Sequence, residues 1–254
     1  MAMAMQDLLK GRVAVLTGGG GAIGRGLALG LAAHGAMVVV AGRSEAALRE
    51  TAQAVREAGG QAHAQVLDVA DPAACAAAAD RVAAEVGEVS ILVNNAGVIE
   101  YAPVESPGIQ QAWRNTIDIN LGGPFNMAMA FLAPLKATRG AIVNISSIAA
   151  YVYTSNTVGY SASKGGVGML TVSLARELGK DGIRVNAVAP GAIDTPMSPS
   201  SSDPTRMAAL LRRVPLGRIG QPADLVGPVV FLASPMSAYV TGTTLVADGG
   251  YLTS

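Results

Sequence analysis

Short apolar runs alternate with amphipathic stretches along the whole chain. The apolar runs lack polar alternation, which is typical of strands buried on both faces, and they cover residues 12–17, 37–41, 64–67, 89–93, 141–145, 183–188 and 244–246. The stretches between them carry helical periodicity and cover residues 22–34, 45–58, 72–86, 108–135, 158–178 and 222–232. This alternation predicts an α/β fold, a doubly wound parallel sheet of about seven strands with helices on both faces.

The same pattern predicts a single dinucleotide-binding and catalytic domain over residues 1–254, because no linker, repeat or low-complexity tract divides the chain. Residues 1–7 have no positive region followed by a long apolar core, so we expect a loose amino terminus and no secretory signal. Residues 194–206 are rich in Pro, Ser and Thr, which is typical of a mobile loop. We expect the segment 194–213 to act as a lid over a substrate.

Composition excludes several classes of partner. Lys plus Arg and Asp plus Glu number 18 each without a basic cluster, so neither nucleic acid nor an anionic membrane surface is expected to bind. No apolar run approaches the roughly 20 residues that a membrane span needs. Cys75 is the only cysteine, which rules out an intrachain disulfide, and neither His lies near a cluster that could hold a metal. We expect a cytoplasmic protein.

The candidate chemistry centres on a Tyr and a Lys in one predicted helix. Tyr160 and Lys164 lie four positions apart and therefore on one face. A phenol has a pKa of about 10, but a nearby ammonium favours the phenolate, so Lys164 is expected to lower the pKa of Tyr160. Tyr160 could then exchange a proton with a substrate hydroxyl or carbonyl, and Ser147 could hydrogen-bond the same oxygen. Alone, this spacing is also typical of a solvated helix face.

A glycine-rich segment, residues 17–24, joins the first predicted strand to the first predicted helix. Glycines let the backbone turn sharply and approach a pyrophosphate, and the helix N-terminus adds a favourable dipole. Such a run could be a plain flexible turn, but its place between a strand and a helix is the context that a dinucleotide site requires. The residues here that we expect to bind the cofactor are Gly18, Gly20, Gly21 and Ile23.

These features resemble the short-chain dehydrogenase/reductase family, a Rossmann-like fold whose glycine motif is Thr-Gly-x-x-x-Gly-x-Gly. The resemblance covers about residues 8–250, and this chain departs from the motif once, with Ala22 at the middle glycine. We expect tighter packing there and retained binding. Further matches are the Asn-Asn-Ala-Gly signature at 94–97 and the Pro-Gly segment at 190–195, where the family holds the nicotinamide carboxamide.

The resemblance implies roles by position. Ser147, Tyr160 and Lys164 match the family's catalytic residues, and Asn120 matches the asparagine whose water connects that lysine to solvent. Asn120 could instead be a hydrogen-bonded structural amide, and Ser146 is a rival of Ser147 with the wrong spacing. The family's remaining cofactor contacts fall on Asp68, Val69, Asn95, Ala96, Gly97, Tyr160, Lys164, Pro190, Gly191, Ile193 and Thr195.

The end of the second predicted strand bears on the choice of cofactor. NAD-binding folds usually place an acidic residue here, which hydrogen-bonds the ribose 2′-hydroxyl, whereas this chain has Gly42. The planar, charged guanidinium of Arg43 can hydrogen-bond a 2′-phosphate, and the Ser44 hydroxyl can add a further hydrogen bond. Arg43 could also be merely solvated. We favour NADP(H), with NAD(H) as the alternative.

The resemblance implies an oxidoreductase that transfers a hydride between NADP(H) and a small-molecule secondary alcohol or ketone, in the carbonyl reductase or 3-ketoacyl reductase-like branch. Sugars or polyols, a 3-ketoacyl thioester, a cyclic ketone and a steroid remain open as substrates. The alternatives are an NAD(H)-dependent sugar or polyol dehydrogenase and a non-catalytic cofactor sensor, which would not need an intact Ser, Tyr and Lys set. The family commonly forms tetramers, so we expect a homotetramer.

Three details stay open at this level. Tyr151 and Tyr153 follow the catalytic serine closely and could line the substrate pocket. Arginines at positions 206, 212 and 213 could dock an acyl carrier protein or form a solvated face. Asp71 is a better candidate than Asp68 to cap the helix that follows.

Overall fold

A seven-stranded parallel sheet forms the centre of the computed structural model, which describes residues 7–153, 156–195 and 204–253. Its strands are β1 (Val13–Thr17), β2 (Met37–Gly42), β3 (Gln61–Val66), β4 (Val89–Asn94), β5 (Ala141–Ile145), β6 (Arg184–Pro190) and β7 (Thr244–Ala247). The predicted fold class is confirmed. The apolar runs form these strands because the middle of the sheet is covered on both faces.

The order of the strands determines where a ligand can bind. Across the sheet the order is β3-β2-β1-β4-β5-β6-β7, so the direction of winding reverses between β1 and β4. Open α/β sheets bind ligands outside the carboxyl ends of their strands at such a point. Thr17 at the end of β1 pairs with Ala41, and Leu16 pairs with Val93 of β4, so these ends open at one edge.

Helices pack on both faces of the sheet. They are α1 (Ala22–Ala33), α2 (Glu45–Glu57), α3 (Pro72–Glu85), α4 (Ile109–Ile117), α5 (Gly123–Ala130), α6 (Leu132–Thr138), α7 (Val158–Leu178), α8 (Pro204–Leu211) and α9 (Val226–Ala233). Successive strand residues point to opposite faces, so Leu16 joins the core beneath α1, α2 and α9, whereas Val15 joins the core beneath α3 and α5–α7. No helix in the described ranges is long and apolar enough to cross a bilayer.

Several predicted elements have other bounds in the structure. β3 starts at Gln61 and not at 64, because this edge strand is largely polar and exposed and so lacks an apolar signal. The predicted helix 108–135 is divided by a π-helical turn, Asp118–Gly122, and again at Phe131. The predicted loop 194–206 overlaps α8, whose first residue, Pro204, suits an opening turn. Residues 1–6 of the predicted loose terminus and 196–203 of the predicted lid lie outside the described residues.

Candidate active site

The segment between β1 and α1 is held by close backbone contacts that glycine alone allows. Gly18 has a φ of 65°, and a Cβ atom there would lie 2.9 Å from the Ala96 Cα atom. A Cβ atom on Gly24 would overlap the Gly18 carbonyl oxygen. The loop therefore packs directly against α1 and the end of β4. This is the bare backbone cradle that a pyrophosphate requires.

The start of α1 leaves backbone donors available to a ligand. Gly21 is the N-cap residue, and no side chain caps the helix. Because the first N–H groups of a helix have no intrahelical partner, they and the helix dipole favour an anion. Ala22 begins the helix in place of the family's glycine without interrupting it. A Cβ atom on Gly20 would lie 2.8 Å from the Ala47 side chain, and the partly buried Ile23 side chain packs against the core.

Thr17 and Asn95 fasten the glycine loop to the end of β4. The Thr17 hydroxyl accepts hydrogen bonds of 3.0 Å from the N–H groups of Asn95 and Ala96. The Asn95 side chain donates to the carbonyl oxygens of Thr17, at 3.0 Å, and of Gly18, at 3.2 Å. Asn95, predicted as a cofactor contact, therefore uses its side chain to position the loop. Thr17 is a positioning residue that the sequence reasoning did not single out.

A cleft at the carboxyl ends of β1 to β4 is lined by several of the predicted cofactor residues. The Asp68 carboxylate accepts a hydrogen bond of 3.0 Å from the Ala70 N–H group at this cleft. Asp71, as expected, caps α3 by accepting from two N–H groups of its first turn. The cleft is lined by Gly18, Gly42, Arg43, Leu67, Asp68, Val69, Ala96, Gly97, Val98 and Ile119.

Arg43 and Ser44 stand at the N-terminus of α2 on the rim of this cleft. Both are exposed, and in the part of the chain that the structure describes Arg43 has no ion-pair partner. The nearby Glu45 carboxylate pairs with Arg49 one turn further along α2. Ser44 is the N-cap residue, and its hydroxyl caps no backbone N–H group. The guanidinium, the hydroxyl and the helix N-terminus are thus all free to bind an anion.

The segment after β6 packs against the residues that follow β7. A Cβ atom on Gly191 would lie 2.7 Å from the Asp248 Cα atom, so this approach requires glycine. Pro190 is buried as the last residue of β6, whereas Thr195 is partly exposed. The Ile193 side chain, a predicted cofactor contact, is 7% exposed and packs in the core.

Two consecutive serines after β5 have different surroundings. The Ser146 hydroxyl donates to the Lys164 carbonyl oxygen at 3.0 Å, which ties the end of β5 to α7. The Ser147 hydroxyl accepts a hydrogen bond of 3.1 Å from the Ala149 N–H group and is also hydrogen-bonded to the Tyr160 side chain. The structure therefore places Ser147, and not Ser146, at the phenol.

Lys164 connects this hydroxyl pair to the cofactor cleft. Its side chain is buried, and the ammonium donates to the Ile145 carbonyl oxygen at 2.7 Å. The Lys164 Nζ atom lies 5.6 Å from the centroid of the Tyr160 ring. A Cβ atom on Gly97 would lie 3.6 Å from the same Nζ atom, so the ammonium adjoins a residue that lines the cleft. One buried cation thus faces both the phenol and the cleft.

Burial changes the pKa values of both Tyr160 and Lys164. Burial raises the pKa of Tyr160 above its ordinary value, the hydrogen bond with Ser147 lowers it, and the neighbouring Tyr101 phenol raises it. Burial also lowers the pKa of Lys164 from 10.5 to about 8. The sequence predicts a lowered Tyr160 pKa, whereas the structure gives a raised one, because desolvation penalises both the phenolate and the ammonium. Tyr160 is therefore protonated at neutral pH, which is the form that can donate a proton.

Asn120 lies in the π-helical turn, and both ends of its side-chain amide are occupied. Its Oδ1 atom accepts from the Val98 N–H group at 2.8 Å, and its Nδ2 atom donates to the Val98 carbonyl oxygen at 2.9 Å and to Ser163 Oγ at 3.2 Å. This geometry favours the alternative of a hydrogen-bonded structural amide. A water link to Lys164 would have to use the backbone of the turn, where regular helical bonding is interrupted.

A wider depression of about 550 Å³ lies at the opposite edge of the sheet. It adjoins the amino ends of β1 and β4 and contains none of the predicted site residues, so the candidate site remains at the carboxyl edge. Its lining is Lys10, Gly11, Arg12, Val13, Val86, Gly87, Glu88, Ser90 and Thr138.

Known proteins share this arrangement of sequence and fold. Residues 20–252 match the profile of a family described as Enoyl-(Acyl carrier protein) reductase. The chain is 41% identical over 251 residues to 3beta-hydroxysteroid dehydrogenase 1 of Eggerthella lenta, covering 97% of this chain and 95% of that protein. It is 41% identical over 249 residues to cis-4-hydroxycyclohexanecarboxylate dehydrogenase of Sinomonas cyclohexanicum, covering 97% and 99%. The crystal structure of a gluconate 5-dehydrogenase from Burkholderia cenocepacia in complex with NADP and tartrate matches with a TM-score of 0.92 at 37% identity, covering 98% of each chain.

Proposed function

The chain belongs to the short-chain dehydrogenase/reductase family and is an oxidoreductase of alcohol and ketone groups, and we propose that it works with NADP(H) through Ser147, Tyr160 and Lys164. The observation that carries this proposal is the hydrogen bond between Ser147 and Tyr160 beside the buried Lys164 ammonium. A non-catalytic sensor would have no need for this arrangement at the mouth of a dinucleotide cleft.

Each of the three side chains has a separate task in the proposed mechanism. In reduction, the Tyr160 hydroxyl donates its proton to the carbonyl oxygen while a hydride adds to the carbonyl carbon, which gives a secondary alcohol. The nicotinamide, when bound, supplies that hydride. Ser147 hydrogen-bonds the reacting oxygen and positions it. Lys164 binds the nicotinamide ribose, and its charge stabilises the phenolate that accepts the alcohol proton in the reverse direction.

NADP(H) is the proposed form of the cofactor because of the end of β2. Gly42 supplies no carboxylate, and the exposed Arg43 guanidinium and Ser44 hydroxyl meet at a helix N-terminus. The NADP bound in the Burkholderia gluconate 5-dehydrogenase is consistent with this reading. Glu45 would place a charge near the 2′-phosphate, but its ion pair with Arg49 reduces that repulsion.

A homotetramer is the proposed assembly. One face of α7 is free of intramolecular contacts at Gly165 and Gly168 and continues through Met169 and Val172, which are 63% and 44% exposed. Gly166, in contrast, packs on Leu121 of the same chain. Light scattering of the purified protein would test this proposal, and Met169→Glu should reduce the particle mass. A monomeric parent protein would contradict it.

The segment 194–213 is proposed to close over the substrate. The Arg213 guanidinium just after α8 stacks on the Tyr251 ring at 4.1 Å and donates to its hydroxyl at 2.6 Å, so the end of the segment is attached to the C-terminal region. This contact also uses one of the three arginines considered for docking an acyl carrier protein. Hydrogen exchange should be fast here without ligand and slower with cofactor and substrate bound.

The experiment that tests the function follows nicotinamide absorbance with a panel of ketones and alcohols. We expect turnover, with a higher kcat/KM for NADPH than for NADH. A preference for NADH would contradict the cofactor proposal alone. Tight cofactor binding without turnover of any carbonyl or alcohol would favour the non-catalytic sensor.

A further inference from the structure

Exposed apolar side chains are concentrated in the two loops next to the reacting residues. Five of them, called here the apolar rim, are 40 to 77% exposed. Three of the chain's six tyrosines belong to this group. Exposed apolar patches of this kind mark ligand grooves or interfaces. The rim consists of Tyr101, Val104, Tyr151, Tyr153 and Val158.

One side of the apolar rim is continuous with the catalytic hydroxyl pair. Ser147 caps a short helical turn, Ile148–Ala150, and Tyr151 follows that turn directly. Val158 opens α7 two residues before Tyr160. Tyr151 and Val158 are therefore close neighbours of Ser147 and Tyr160 along the chain.

The loop that carries Tyr101 is fastened on both sides of it. The Glu100 carboxylate accepts a hydrogen bond of 3.1 Å from the Asn115 side chain of α4. The Ala102 N–H group donates to the Asn156 carbonyl oxygen at 2.9 Å, which joins the two loops of the rim. The Tyr101 phenol consequently interacts electrostatically with the reactive phenol of α7. Tyr101 therefore brings the second loop of the rim close to Tyr160.

Positive charge is absent from the segments that carry the rim. Apart from Lys164, residues 97–113 and 140–164 contain no Lys or Arg, and neither do residues 191–205, which follow β6. The same segments carry acids, including Glu100, Glu105 and Asp194. A substrate carboxylate or phosphate would lose hydration without gaining a cation from these segments. The charge of these segments thus opposes anionic substrates, and the arginines of the segment 194–213 lie further along it, at positions 206, 212 and 213.

We propose that the site takes an uncharged alicyclic ketone or secondary alcohol, with its ring carbons against the apolar rim and its oxygen at Ser147 and Tyr160. Within the proposed function, this selects one substrate class. Reduction moves a hydride from the reduced nicotinamide to the ring carbonyl carbon and the Tyr160 proton to the oxygen, giving a cyclic secondary alcohol. A polyol would need several hydroxyl partners, and among the rim side chains only the tyrosine hydroxyls can provide them.

The test compares two ketones that differ by one carboxylate. Cyclohexanone and 4-oxocyclohexanecarboxylate are assayed with saturating NADPH, alongside erythrulose as an uncharged polyhydroxy ketone. We expect kcat/KM for cyclohexanone to exceed both others by at least about tenfold, since a single mismatched group has roughly that effect. Turnover that favours the carboxylate or erythrulose would overturn the substrate class and leave hydride transfer standing. Failure to turn over any ketone would overturn the proposed function and this inference with it.

Variants of the rim test whether these side chains contact the ring. Tyr153→Ser should raise KM for cyclohexanone roughly tenfold with kcat little changed, whereas Tyr153→Arg should raise kcat/KM for 4-oxocyclohexanecarboxylate. Tyr239→Ser is the matched control, because Tyr239 is fully exposed in the connection between α9 and β7. Calorimetric titration of cyclohexanol into the cofactor-bound protein gives affinity without turnover. Equal behaviour of the position 153 variants and the control would overturn the proposal.

Discussion

The cofactor half and the substrate half of the site are built differently. In the cofactor half, backbone packs on backbone: Gly18 lies against Ala96, and Gly24 lies against Gly18. In the substrate half, the fixed hydroxyls of Ser147 and Tyr160 are bordered by exposed loop side chains. A bare backbone cradle accepts one kind of ligand, whereas a rim of side chains can change without disturbing the fold. Packing therefore determines the class of cofactor, and loop chemistry determines the substrate.

The largest expected effect lies where the two halves meet. Tyr160→Phe removes the proton donor and keeps the ring, so kcat should fall by about 10²- to 10⁴-fold. Cofactor affinity, measured by fluorescence titration, should be unchanged, because the phenol faces the substrate half. Tyr239→Phe is the control for loss of an exposed hydroxyl. A Phe variant with near-normal kcat would remove Tyr160 from the mechanism.

An added methyl group distinguishes the packed glycine loop from the open end of β2. Gly24→Ala places a carbon against the Gly18 carbonyl oxygen, whereas a Cβ atom on Gly42 would meet nothing closer than Leu48, at 3.6 Å. Overpacking typically lowers the free energy of unfolding by roughly 1–3 kcal/mol. We expect a loss of this size in urea denaturation for Gly24→Ala and almost none for Gly42→Ala. Equal stability of the two variants would mean that the cradle adapts, and the contrast between the halves would weaken.

Replacement of Arg43 tests an exposed side chain of the cofactor half. Arg43→Ala should weaken NADPH binding by roughly tenfold, toward the lower end for a charge-assisted hydrogen bond, because solvent screens the exposed guanidinium. NADH lacks the 2′-phosphate, so its affinity should barely change. Gly42→Asp has room for its side chain and should shift the preference toward NADH. Equal losses with both cofactors in Arg43→Ala would indicate that Arg43 contacts the adenine.

Much of the cofactor half could be predicted from sequence because local pattern and position determine it. The glycine segment lies between a strand and a helix whose bounds follow from apolar runs, and α7 starts and ends at the predicted residues, Val158 and Leu178. Asp71 could be recognised as a cap from the Pro that follows it. These features depend on neighbours in the chain.

Other features could not be predicted because they depend on neighbours in space. The occupied amide of Asn120 depends on a π-helical turn and on Val98, 22 residues away. The raised pKa of Tyr160 follows from burial, which spacing to Lys164 does not reveal. Tyr101 belongs to no motif and reaches the site only because its loop is fastened to α4 and to Asn156. The substrate half is thus the part that sequence pattern describes least.

The smallest expected effect concerns the electrostatic contact between Tyr101 and Tyr160. Tyr101 raises the pKa of Tyr160, because a phenolate at one position opposes a second negative charge nearby. Tyr101→Phe keeps the ring and should lower that pKa. Reduction needs protonated Tyr160 and declines as pH rises through its pKa, so the alkaline limb of the reduction profile should move to lower pH. Oxidation needs the phenolate and should gain activity at a correspondingly lower pH. Tyr153→Phe removes another hydroxyl of the apolar rim, one that is 77% exposed, and is the control that we expect to shift neither limb. An unmoved limb in Tyr101→Phe, or a move to higher pH, would show that the substrate half shapes only binding and leaves the proton transfer untouched.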